Sequence, residues 1–193
     1  GLVDYKGIQD APDALLALVE QIESFSLPAD SPEGEKAFLI NAYNILVIKR
    51  VIDHFPIDSP IEVNGFFTDE KFKIGGKKVS LNQLEKDIIL TKYPDARLHF
   101  ALVCAAKGCP KLRPEAYRSS SLDMQLEEQT LKTLQDNYFV SYDEQANTLS
   151  ISKIFEWYAR DFGNNNKDVI QFVNSYSHLM IPEDARISYM EYD

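Results

Sequence analysis

The 193 residues carry 20 Lys and Arg against 30 Asp and Glu, a formal charge of −10, with 45% hydrophobic and 26% charged side chains. That balance belongs to a folded globular chain rather than a disordered one, and its acidity repels phosphate backbones, so no nucleic-acid partner is expected. No run approaches the roughly 18 apolar residues of a membrane helix, so no transmembrane segment is expected, and the length suits one domain over 1–193.

Gly1 stands where an initiator methionine would, which reads as a processed or trimmed terminus with any targeting signal removed. Leu15, Leu16, Leu18, Val19 and Ile22 mark an amphipathic helix over 11–24, followed by a Pro/Asp/Ser-rich turn over 27–32. Ser31 then offers a cap and Pro32 a first helical residue. The helix this opens, over 33–54, is apolar on most of its circumference, should be central and largely buried, and is closed by Phe55-Pro56. Residues 71–74 and 77–79 flank Gly75-Gly76, a pair suited to the positive φ of a primed turn, so they read as a hairpin. Its Lys71, Lys73, Lys77 and Lys78 are the one basic cluster and read as a solvated face.

Ser80-Leu81-Asn82-Gln83 is a capping box that starts a helix through residue 90. The apolar run 98–104 reads as a buried strand. After a loop rich in proline and serine comes a helix over 122–135. Residues 139–142 and 148–151 form a second hairpin, Ser152 caps a helix that ends near Gly163, and a helix over 168–175 and a strand over 186–189 complete the chain. Helices and hairpins in mixed order predict an α+β fold, with helices packed on a small, mostly antiparallel sheet.

Several residues break the local pattern. Asn41 and Asn44 lie on one side of the most apolar helix, where a buried amide without partners costs roughly 1–3 kcal/mol. They either tie the helix to a loop or orient a reactive group. Glu85 falls beside the Leu81, Leu84 and Ile88 stripe, and a carboxylate there needs a cation, a donor or a raised pKa. His99 on the next element is a natural candidate partner, and such a pair either holds one imidazole tautomer as a general base or is structural with no chemistry. In an extended strand His99 and Cys104 would stand about 16 Å apart on opposite faces, which excludes a dyad between them. Cys104 and Cys109, the two cysteines of the chain, are open to three readings: free thiols, a small-loop disulfide or metal ligands. As zinc ligands they lack a second close pair. Phosphate-binding loops, dinucleotide fingerprints, nucleophile elbows and zinc-protease motifs are all absent from the sequence.

Taken together, Glu35-Lys36-Ala37-Phe38-Leu39-Ile40-Asn41-Ala42-Tyr43-Asn44, Ser80-Leu81 through Glu85, His99-Phe100-Ala101-Leu102-Val103-Cys104, Lys107-Gly108-Cys109-Pro110 and Ser152 through Tyr158 resemble the domain-of-unknown-function 547 family, with Gly1 through Tyr5 as a further match. Leu39 stands where tryptophan is common in that family, and Thr91 where arginine is expected. The resemblance supplies no reaction. It implies an order of helix, hairpin, helix and histidine-bearing strand similar to papain-like and transglutaminase-like folds, with Asn41 where those carry a nucleophile.

Two functions follow as expectations. The first is an enzyme-like site, a hydrolase of amide or ester bonds, with His99 as base, Glu85 orienting it, Asn41 assisting and Cys109 as nucleophile. The second is a non-catalytic binding module of an extracytoplasmic protein, carrying exposed aromatic candidates Tyr138, Tyr142, Tyr189 and Tyr192. Either would act on a small molecule or peptide in the periplasm or outside the cell, and no cofactor or metal is expected.

Overall fold

The computed structural model describes residues 2–27 and 31–192. Gly1, and 28–30 within the expected turn, lie outside the described residues. Two helices lead in, α1 (Tyr5–Asp10) and α2 (Asp13–Ser24), where one over 11–24 was expected. They pack on α3 (Pro32–His54), which starts as its sequence dictates: Pro32 is in the first turn and the Ser31 hydroxyl accepts from the Gly34 amide at 3.1 Å. Leu39, Ile40, Tyr43, Leu46 and Val47 of α3 are buried at the centre of the first core.

The hairpin of β1 (Phe72–Ile74) and β2 (Lys77–Val79) follows, antiparallel, with φ of 55° at Gly75 and 83° at Gly76. Its four lysines are exposed. The capping box forms as read, Ser80 N–H to Gln83 Oε1 at 3.1 Å and Gln83 N–H to Ser80 Oγ at 3.2 Å. The helix it opens, however, is a π-helix over Gln83–Leu90. Its wider turn spaces inward residues by five, so Leu84 and Ile89 are buried while Ile88 is only half-buried.

The strand expected over 98–104 does not form. Asp95 accepts from the Arg97 amide at 3.1 Å and starts a 3-10 turn, Ala96–Phe100. Leu98 enters the first core, Phe100 enters a second, and His99 between them is also buried. A short apolar run has no periodicity to separate strand from helical turn. Here the turn wins because Leu98 and Phe100, two residues apart, bury into different cores, whereas a strand would put residues i and i+2 on the same face.

The second core gathers α4 (Leu122–Leu134), β3 (Val140–Asp143), β4 (Thr148–Ile151), α5 (Ile154–Trp157), α6 (Ala159–Phe162), α7 (Asn166–Tyr176) and β5 (Arg186–Tyr189) around Phe100, Leu149, Phe155, Phe162 and Ile170. β4 pairs antiparallel with β3 and parallel with β5. The helix expected after Ser152 is broken into α5 and α6 at Tyr158, whose φ of −115° and ψ of 31° leave the helical region. The fold is α+β, with two small sheets of two and three strands. Among the described residues no helix is long and apolar enough to cross a membrane.

Candidate functional site

A cleft of about 280 Å³ opens where the two cores meet, lined by Tyr43 of α3, Glu85 of the π-helix, His99, both cysteines, Trp157, Tyr158 and Tyr192. Two wider clefts, of about 480 and 530 Å³, flank α3. The smaller cleft is the candidate because convergent polar groups and a perturbed histidine meet in it.

Glu85 sits between two phenols. The Tyr43 hydroxyl donates to Oε2 at 2.8 Å and the Tyr158 hydroxyl to Oε1 at 2.7 Å. Burial, then the adjacent carboxylate, pushes both hydroxyls well above the ordinary tyrosine range. The π-helix aims Glu85 inward, and the break at Tyr158 lets one side chain serve two partners. Its hydroxyl holds Glu85 while its ring stacks on His99, centroids 4.0 Å apart.

The expected Glu85–His99 pair is therefore corrected: the two are joined through Tyr158, not bonded to each other. The carboxylate that meets the imidazole is Asp161, with Oδ2 2.7 Å from His99 Nε2. Asp161 lies in α6, 62 residues from His99, and no local spacing in the sequence marks it as the partner. The His99 side chain is 3% exposed. Burial holds its pKa below 6.5 despite the opposing pull of Asp161. An ionised carboxylate can only accept, so Nε2 carries the proton and Nδ1 presents its lone pair. Nδ1 has no protein partner among the described residues. The fully buried polar atoms without partners there are His54 Nε2, Tyr93 OH and Arg113 Nε, so Nδ1 is not sealed off.

The two amides do structural work. Asn41 donates to the Tyr117 carbonyl at 2.8 Å and accepts from the Tyr117 amide at 2.9 Å, on the wall of a different cleft. Its expected place beside His99 is corrected accordingly. Asn44 donates to the Ala101 carbonyl and accepts from the Val103 amide, both at 2.9 Å, and so fixes the segment that leads from His99 to Cys104. Gln129 of α4 supports the same turn through the Phe100 carbonyl at 3.0 Å.

Cys104 and Cys109 are joined in a disulfide. Cys109 is thus no thiol nucleophile in this state, which corrects that expectation. Of the aromatic candidates, Tyr192 reaches the cleft and its hydroxyl lies 3.3 and 3.2 Å from the two sulfurs. Tyr138 and Tyr189 are exposed elsewhere, Tyr142 bonds Asn147, and the exposed ring at the cleft is Trp157. Among the described residues no group of three or more His, Cys, Asp or Glu side chains is gathered as a metal site.

A family model described as "Protein of unknown function, DUF547" matches residues 29–132. Tyr43, Glu85, His99 and the disulfide fall within that span, whereas Tyr158, Asp161 and Tyr192 lie beyond it. No curated protein and no solved structure matches the chain.

Proposed function

The chain belongs to the DUF547 family, whose description carries no reaction, and we propose from its cleft that it is a hydrolase of ester or amide bonds in which His99 is the general base. The observation that supports this reading is the Asp161–His99 pair on a residue that lines the cleft: with Nε2 donating to the carboxylate, Nδ1 is the ring nitrogen left to accept a proton. With the sulfurs bonded to each other, water is the nucleophile. Nδ1 removes a proton as water attacks the carbonyl carbon, Asp161 stabilises the imidazolium, and the proton passes to the leaving alkoxide or amine. Glu85 is a positioning residue, acting on the imidazole only through Tyr158. The disulfide supports a periplasmic or extracellular site of action, since such bonds persist in oxidising compartments.

A panel of acyl esters and peptide amides tests the proposal. For a substrate the parent cleaves, His99→Gln should lower kcat/KM by about 100-fold or more, and Asp161→Asn by less. Equal rates for the parent and His99→Gln would overturn it. A second reading, a binding module without turnover, is supported by the near-complete burial of the His99 ring and the exposed Trp157 at the cleft. Saturable quenching of Trp157 by a peptide or small molecule that is never cleaved would favour it.

A further inference from the structure

The disulfide is placed unlike a structural staple. It joins residues five apart within one loop and so links no two elements, and a short loop is where a cross-link constrains the unfolded chain least. It stands instead in the wall of the cleft.

Its two sulfurs are not equivalent. A disulfide has no S–H, so the Tyr192 hydroxyl is the donor in both contacts, shared between Cys104 Sγ and Cys109 Sγ at 3.3 and 3.2 Å. Burial, reinforced by Glu85, pushes that hydroxyl up to about 12, so it keeps its proton at neutral pH. Cys109 Sγ also accepts from the Cys104 amide at 3.0 Å. Two donors therefore converge on Cys109 and one on Cys104. Cys109 is the more buried residue, at 8% exposure, and Cys104 is only half-buried. The loop between them holds Ala105 at φ 63°, a left-handed conformation unfavourable to a residue with a Cβ. Gly108 is built for the contact with Tyr192: a Cβ there would lie 2.8 Å from the ring.

We propose that the Cys104–Cys109 bond is a reversible thiol–disulfide exchange site, opened by a dithiol reductant attacking Cys104 and releasing Cys109 as a thiolate held by Tyr192 and the Cys104 amide. In the first step a reductant thiolate forms an S–S bond to Cys104 Sγ. The Cys104–Cys109 bond breaks, and its electron pair goes to Cys109 Sγ. In the second step the reductant's other thiol loses its proton to solvent and attacks the reductant sulfur of the mixed disulfide. The electron pair returns to Cys104 Sγ, which takes up a proton. The protein gains two electrons, the dithiol is oxidised to its own disulfide, and Ala105 is freed from the closed ring. The outcome is thiol chemistry and goes beyond acyl hydrolysis, so it does not depend on the role given to His99.

The test is reduction of the folded protein by dithiothreitol at graded ratios of reduced to oxidised reagent, followed by iodoacetamide and peptide mass mapping, with circular dichroism to confirm that the fold persists. Full, reversible reduction without loss of fold is expected, with Cys109 alkylated at pH 7 about tenfold faster than Cys104. Tyr192→Phe should bring the two rates closer together. With glutathione as a single-thiol reagent, the trapped mixed disulfide should map to Cys104. Reduction only on unfolding, equal alkylation rates, or trapping on Cys109 would each overturn the proposal. None of these readouts moves if the hydrolase reading fails, and a His99→Gln protein should give the same result.

Discussion

Replacing Asn44 by alanine removes the amide that holds the chain between His99 and Cys104. Its two bonds, to the Ala101 carbonyl and from the Val103 amide, are both 2.9 Å long, and the residue is 6% exposed. Alanine leaves both backbone groups without that partner, and an unsatisfied buried group costs about 1–3 kcal/mol. Ala101 is fully buried and Val103 half-buried, so water can reach the second group but not readily the first. The expected loss is therefore about 2–4 kcal/mol, a large share of the roughly 5–15 kcal/mol that holds a typical domain folded. Equilibrium urea denaturation with the disulfide intact should show a lower midpoint at unchanged slope. Asn41→Ala, on a more exposed contact, should cost less. A loss below about 1 kcal/mol at Asn44 would refute the reasoning, because it would mean that water or backbone relaxation satisfies both groups.

Burial alone would push the Asp95 carboxyl up, but Arg97 and Lys36 outweigh it and hold it at about 2 against an ordinary 3.8. The resulting stability, roughly 2 kcal/mol, is present above 3.8 and lost as pH falls through about 2; Asp95→Asn should abolish that part of the acid-denaturation profile. His99 acts in a higher window. Burial depresses its pKa below 6.5, so the unfolded chain protonates first and stability falls as pH drops below 6.5. His99→Gln should flatten that part of the curve, and an unchanged slope would count against the assignment. Gly108→Ala should displace the Tyr192 ring, whose nearest carbon would lie 2.8 Å from the new Cβ, at a cost of about 1 kcal/mol. Trp157, the single tryptophan, packs 4.6 Å from that ring, so its fluorescence reports the shift.

Local chemistry by itself determined the parts of this protein whose causes lie within a few residues. The Ser31 cap with Pro32, the Gly75-Gly76 turn and the Ser80–Gln83 box all stand where the chain announces them, because each depends on backbone groups and side chains close in sequence. The α+β class follows from the same signals. Tertiary structure alone decided the rest. Whether 98–100 is strand or turn depended on two cores on either side of it, and the π register that buries Ile89 rather than Ile88 was set by the same packing. Glu85 was legible as a carboxylate needing donors, but which donors was not. Tyr43 and Tyr158 come from 42 and 73 residues away, and Asp161 reaches His99 across 62. A residue's type states what partner it requires, and only the path of the chain through space brings that partner to it.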